Sequence, residues 1–151
     1  MTAAPRHPAP ATASGAPSPE VIAGFRACRA ITRRRARNFY YGLRLTPAPR
    51  RSALYAIYAW SRLGDDITDA PSPVDERRAR LATYAERTEA VIVGNAGNAG
   101  EADDAATNGD GLWPALQHTL AAYPIDPAWF RDMIAGFDDD LDFKQPATAD
   151  D

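Results

Sequence analysis

The chain is poor in the residues that staple a protein, build strands or anchor it in a bilayer. It holds one cysteine, Cys28, in 151 residues. A single thiol excludes an internal disulfide and a zinc site built on cysteines, and it fits a reducing, cytoplasmic compartment. No run of about 18 apolar residues occurs, so nothing in the sequence reads as membrane-spanning. Residues 1–18, MTAAPRHPAPATASGAPS, lack a continuous apolar stretch and do not read as a secretory signal. They offer almost nothing to bury and are expected to be disordered. β-Branched residues are few and no segment alternates cleanly, so strand signals are weak. Positive charge is not in excess either: the formal net charge of −3 argues against nucleic acid as the main partner.

Helix signals fill the rest, and several share a capping residue followed by proline. Ser18-Pro19 opens a helix to about Arg35, Thr46-Pro47 one to about Asp69, and Ser72-Pro73 one to about Val93. Asp126-Pro127 opens a last helix over AWFRDMIAGFDDDLDF, with a short one near LWPALQHTLAAY before it. NFYYGLRL, 38–45, reads as helix or loop. Residues 94–111, GNAGNAGEADDAATNGDG, hold nothing apolar larger than alanine and read as a flexible loop joining two helices. The expected organisation is a disordered tail at 1–18, a helical domain over 19–146 and a short tail at 147–151.

The stretch YAWSRLGDDITDAP places Asp65, Asp66 and Asp69 in an otherwise apolar helix. At about 100° per residue, Leu54, Tyr58, Arg62, Asp65 and Asp69 fall within about 40° of one line, while Tyr55, Ile57, Trp60, Leu63 and Ile67 occupy the other sides. On a wet surface, the pairing of Asp65 with Asp69 costs only about 0.2–0.5 kcal/mol. Partly buried, two carboxylates about 6 Å apart repel by roughly 3 kcal/mol at an effective dielectric of ~20. A cation between them removes that cost, and Mg²⁺ typically takes one or two carboxylates plus phosphate oxygens. Arg62 is spaced to fork onto a phosphate. Two readings remain open at this point: a solvated helix end, or a diphosphate held through magnesium.

Other motifs resolve more simply. An EF-hand counted from Asp65 fails, because Ile67 and Ala70 stand where a ligand and a glycine are required. GFDDDLDF lies in a helical pattern, not after a strand, which argues against an aspartyl-phosphate site. His118 has no partner at metal spacing and reads as structural. Cys28 reads as a small buried apolar residue, and Trp113, Trp129 and Phe130 read as core. Phe39, Tyr40 and Tyr41 cannot all face one side of a helix, so at least one is packing. Arg33, Arg34, Arg35 and Arg37 read as a solvated basic face that could also meet diphosphates or lipid headgroups. Asp138 and Asp139 read as a solvated helix end.

The stretch NFYYGLRLTPAPRRSALYAIYAWSRLGDDITDAP resembles the N-terminal signature of the squalene/phytoene synthase family, the head-to-head prenyl synthases. The matching residues are Asn38-Phe39, Leu45-Thr46-Pro47, Arg50-Arg51, Tyr55 to Ala59, Arg62, and Asp65 to Asp69. WFRDMIAGFDDDLDFKQPAT is similar to a second family segment through Gly136, Asp140 and Leu141. Head-to-tail synthases also carry DDxxD, but usually follow it with Arg-Arg-Gly; here Arg77-Arg78 runs into Ala79.

The resemblance implies an all-α, isoprenoid-synthase-type helical bundle, incomplete, in which two prenyl diphosphates join. It implies Asp65 and Asp69 as Mg²⁺ ligands, Arg62 as the residue that neutralises the leaving diphosphate, and Tyr58 lining the cavity where an allylic cation forms. It places Asn38, Phe39 and Tyr41 in substrate binding, with farnesyl or geranylgeranyl diphosphate as substrate. NADPH enters only with a squalene-type reductive step. Asn38 stands where most members carry serine. The family's second aspartate-rich motif has no match in these residues. An N-terminal portion is therefore expected, with the rest of a synthase chain as its partner and little or no activity alone. The alternative is a non-catalytic helical partner subunit or a decayed fragment that keeps half of a diphosphate site. Lipid products imply peripheral contact with a membrane.

Overall fold

The computed structural model describes residues 16–94 and 111–143. Expectations for most of the N-terminal tail, the interior of the 94–111 loop and the end after Phe143 lie outside them. The described residues form helices and no strand: α1 Pro19–Arg35, α2 Arg37–Leu43, α3 Ala48–Thr68, α4 Val74–Ile92, α5 Leu112–Ala122 and α6 Pro127–Asp142. NFYYGLRL, ambiguous as sequence, supplies most of the short α2.

The cap-plus-proline device holds at both ends of the chain and slips in the middle. Ser18 Oγ accepts a hydrogen bond from the Val21 amide at 3.3 Å, and Asp126 Oδ1 accepts one from the Ala128 amide at 2.9 Å. At α3 and α4 the helix begins one residue later. Pro47 and Pro73 themselves take the capping position, with ψ of 144° and 148° and no side-chain cap. Ser72 does not cap: its amide is tied into a turn on the Ala70 carbonyl, and its hydroxyl is buried without a partner among the described residues. The glycines bounding the 94–111 loop adopt left-handed backbone, with φ of 76° at Gly94 and 89° at Gly111. That conformation is cheap only without a side chain, and Gly111 stands as the cap of α5.

Helix α3 is the centre, packed by α1, α4, α5 and α6. Trp60 is fully buried, stacks on Tyr84 of α4 with ring centres 5.4 Å apart, and meets Phe130 of α6 edge-on at 4.8 Å. Its indole N–H donates to Thr88 Oγ1 at 2.9 Å, and the Tyr84 hydroxyl donates to the Trp60 carbonyl at 2.9 Å. The buried polar atoms of Trp60, Tyr84 and Thr88 thus have partners, which offsets the cost of burying them. The indole nitrogen of Trp113, whose ring centre lies 5.9 Å from that of Tyr84, is buried with no hydrogen-bond partner among the described residues. Gly64 lets Phe137 lie directly on α3; a Cβ there would overlap the ring.

Trp113 and Phe130 join the core as expected, but Trp129 does not: it is 42 % exposed, with one ring face on Trp60 and Phe130. Cys28 is buried, and burial pushes its thiol up to about 12. His118 packs edge-on against Phe25. Arg78 of α4 forks onto Asp138 and Asp142 of α6 at 2.7 and 2.6 Å, so Asp138 is paired as well as solvated. Arg131 bonds Glu89 in the same seam and holds that carboxyl below the usual range.

Candidate functional site

The last two turns of α3 leave the bundle with their charge. Leu63, Gly64, Ile67 and Thr68 are buried against neighbours, while Arg62, Asp65 and Asp66 are half-buried and Asp69 is exposed. The pair is not enclosed in the bundle: the Asp65 side chain is 45 % exposed, and Asp69 faces water, as at a solvated helix end. The other sides of α3 are taken by the helices packed on them, and the aspartate line runs along the side left over.

The arginines of this region settle on Asp66. Arg62 Nη2 reaches Asp66 Oδ1 at 2.9 Å, one helical turn on, and Arg35 Nη2 at the end of α1 reaches Asp66 Oδ2 at 3.2 Å. Asp65 receives only a distant Arg62 contact at 3.9 Å. Asp69 takes no ion pair among the described residues. The two carboxylates singled out by spacing are thus the ones left without a close counter-charge. Arg62 Nε is buried and has no partner among the described residues.

The electrostatics follow. Partial burial raises the Asp65 carboxyl pKa above its ordinary value; Arg62 opposes that rise, and Asp69, Asp66 and Asp140 add to it. Asp140 comes from α6, so tertiary packing brings a fourth acid to this edge. No three His, Cys, Asp or Glu side chains among the described residues are gathered closely enough to hold a metal alone. The donor set is two hard carboxylates in line, which matches Mg²⁺ completed by phosphate oxygens and water.

The aromatic end of the line is assembled from two helices. Phe39 of α2 packs on Tyr58 of α3 with ring centres 5.5 Å apart. Tyr58 lies one turn before Arg62, so Phe39, Tyr58, Arg62, Asp65 and Asp69 form one continuous strip. Asn38 is exposed next to Phe39 and makes no side-chain hydrogen bond among the described residues. Tyr41 lies apart, facing a hollow lined by arginines of α1. Residues two positions apart on a helix are about 200° apart around its axis, so Phe39 and Tyr41 cannot share a side. Phasing passed over Asp66, although the i,i+4 spacing from Arg62 signals that pair. No local signal marks Arg35, which reaches Asp66 across helices.

Residues 32–151 match the squalene/phytoene synthase family. The chain is 39 % identical over 109 residues to 15-cis-phytoene synthase of Synechococcus elongatus, covering 72 % of this chain and 32 % of that protein. It is 34 % identical over 123 residues to 15-cis-phytoene synthase of Synechocystis sp., covering 82 % and 33 %. It is 33 % identical over 136 residues to chloroplastic phytoene synthase 3 of Zea mays, covering 88 % and 29 %. The chain therefore belongs to the squalene/phytoene synthase family, and it spans about a third of the length of these relatives. Among the described residues, no helix is long and apolar enough to cross a membrane.

Proposed function

We propose that this chain carries the diphosphate-ionising half of a head-to-head prenyl synthase, with two molecules of an allylic prenyl diphosphate as the substrates of the whole enzyme. The observation that carries the reading is the pair Asp65 and Asp69: acids in line, left without close counter-charges while Asp66 takes both arginines. Asp65 and Asp69 would hold Mg²⁺, which would supply Lewis-acid stabilisation of a leaving diphosphate. Arg62 swings its guanidinium from Asp66 to the diphosphate oxygens, where its fork matches paired acceptors. The Tyr58 and Phe39 rings present π faces to the cation left on the prenyl chain. The relatives' names favour geranylgeranyl over farnesyl diphosphate as the substrate class, and a phytoene-type product.

The test is titration of the chain with geranylgeranyl diphosphate, with and without Mg²⁺. Binding is expected only with Mg²⁺, and Asp65→Ala or Asp69→Ala is expected to weaken it at least tenfold, about 1.4 kcal/mol. Binding of the same strength without the metal, or in both variants, overturns the proposal. No binding with Mg²⁺ present overturns it as well and leaves a helical module that does not handle diphosphates.

A further inference from the structure

Asp66 has no part in the diphosphate site as proposed, yet it draws more positive charge than Asp65 or Asp69. Arg62 Nη2 bonds its Oδ1 at 2.9 Å and Arg35 Nη2 bonds its Oδ2 at 3.2 Å, so each carboxylate oxygen has its own guanidinium. Arg62 stands one turn back on the same helix, while Arg35 is the last residue of α1. Two arginines around one carboxylate leave a surplus of positive charge. Guanidinium groups that converge from separate helices are also the arrangement that receives an anion with several oxygens. Here a side chain of the protein fills it.

Stability does not account for the arrangement. Asp66 lies in the last turn of α3, where an acid opposes the helix dipole. All three side chains are partly exposed, and ion pairs so open to solvent add little to folding. Arg62 Nε is buried with no hydrogen-bond partner among the described residues, so its fork is not fully used while it lies on Asp66. A carboxylate already in place competes with any incoming anion. The two-arginine site is therefore weak while Asp66 is charged and strong once that charge is removed.

We infer that Asp66 is a positioning residue that acts as an internal anion. It holds Arg35 and Arg62 together beside the aspartate line until a diphosphate displaces it, and it takes the guanidinium groups back when free pyrophosphate leaves. The inference rests on the diphosphate reading for the identity of the incoming anion. The full chain and its variants are titrated with inorganic pyrophosphate in EDTA, so that arginines rather than a metal must hold the anion. Asp66→Asn is expected to bind roughly tenfold tighter than the parent, the scale of a charge-assisted hydrogen bond. Asp66→Ala is the second variant and is expected to show the same gain. The gain is expected to vanish in Asp66→Asn/Arg62→Gln and in Asp66→Asn/Arg35→Gln, and to shrink as salt rises. Asp69→Asn removes an equal charge from an acid that holds no arginine, and is expected to gain far less. Circular dichroism of each variant is expected to match the parent. Asp66 variants that bind like the parent, an equal gain in Asp69→Asn, or a gain that survives both arginine substitutions overturns the inference. A parent that ignores geranylgeranyl diphosphate in Mg²⁺ removes the diphosphate reading, whereas a missing gain in metal-free pyrophosphate removes only the role of Asp66.

Discussion

Trp60 and Asp65 lie just over one turn apart on α3, and their surroundings are opposite. Around Trp60 the indole N–H and the Tyr84 and Thr88 hydroxyls all have partners, and the rings interlock. Around Asp65 stand three other acids, Asp66, Asp69 and Asp140, and the nearest arginine is committed to Asp66. On the Trp60 side these hydrogen bonds are complete. The other side holds unspent negative charge and a buried Arg62 nitrogen without a hydrogen-bond partner among the described residues. Stability and the proposed ligand site thus lie on different sides of one element, and mutations should separate them.

The largest expected effect is on the complete side. Trp60→Ala removes the ring that ties α3 to α4 and α6 and is expected to cost about 3–5 kcal/mol, read from denaturant or thermal unfolding. A variant that unfolds like the parent breaks the contrast. Thr88→Val keeps the shape but strands the indole N–H, for about 1–3 kcal/mol; a neutral result means that the indole finds another acceptor.

The smallest expected effect has the opposite sign. Asp65 holds its proton more tightly in the folded chain than in the unfolded one, so its ionisation opposes folding. That cost is absent below the unfolded carboxyl pKa of about 3.9. It grows as pH rises and is complete above the raised folded value. Asp65→Asn should therefore stabilise the chain at neutral pH and lose that advantage in acid. The gain stays below about 1 kcal/mol, because solvent screens a side chain that is 45 % exposed. The same variant should lose Mg²⁺-dependent diphosphate binding. A destabilised Asp65→Asn at pH 7 would mean that the acids are neutralised within the chain, and the contrast between the two sides would fail.

Most of the helix plan was legible because proline, capping residues and apolar spacing act locally. Where it slipped, at Thr46 and Ser72, the turn before the helix claimed the backbone first. The strip Tyr58–Arg62–Asp65–Asp69 was legible because a helix fixes the relative direction of its own side chains. The exposure of that strip was not: Asp69 faces water because of where the other helices pack. Trp129 was misread for the same reason, since its size suggests burial but its position on α6 leaves one face outside.

The sequence by itself determined an all-helical chain, a helix with acids in line behind an arginine and a tyrosine, and the family to which these belong. Helical periodicity and capping need only neighbours a turn or so away, so they are written in the chain. Only the tertiary structure decided that Asp66 takes both arginines, that Asp140 crowds Asp65, and that Phe39 covers Tyr58 while Tyr41 turns to the arginines. Those outcomes depend on distances between helices far apart in the chain, and no local spacing encodes them.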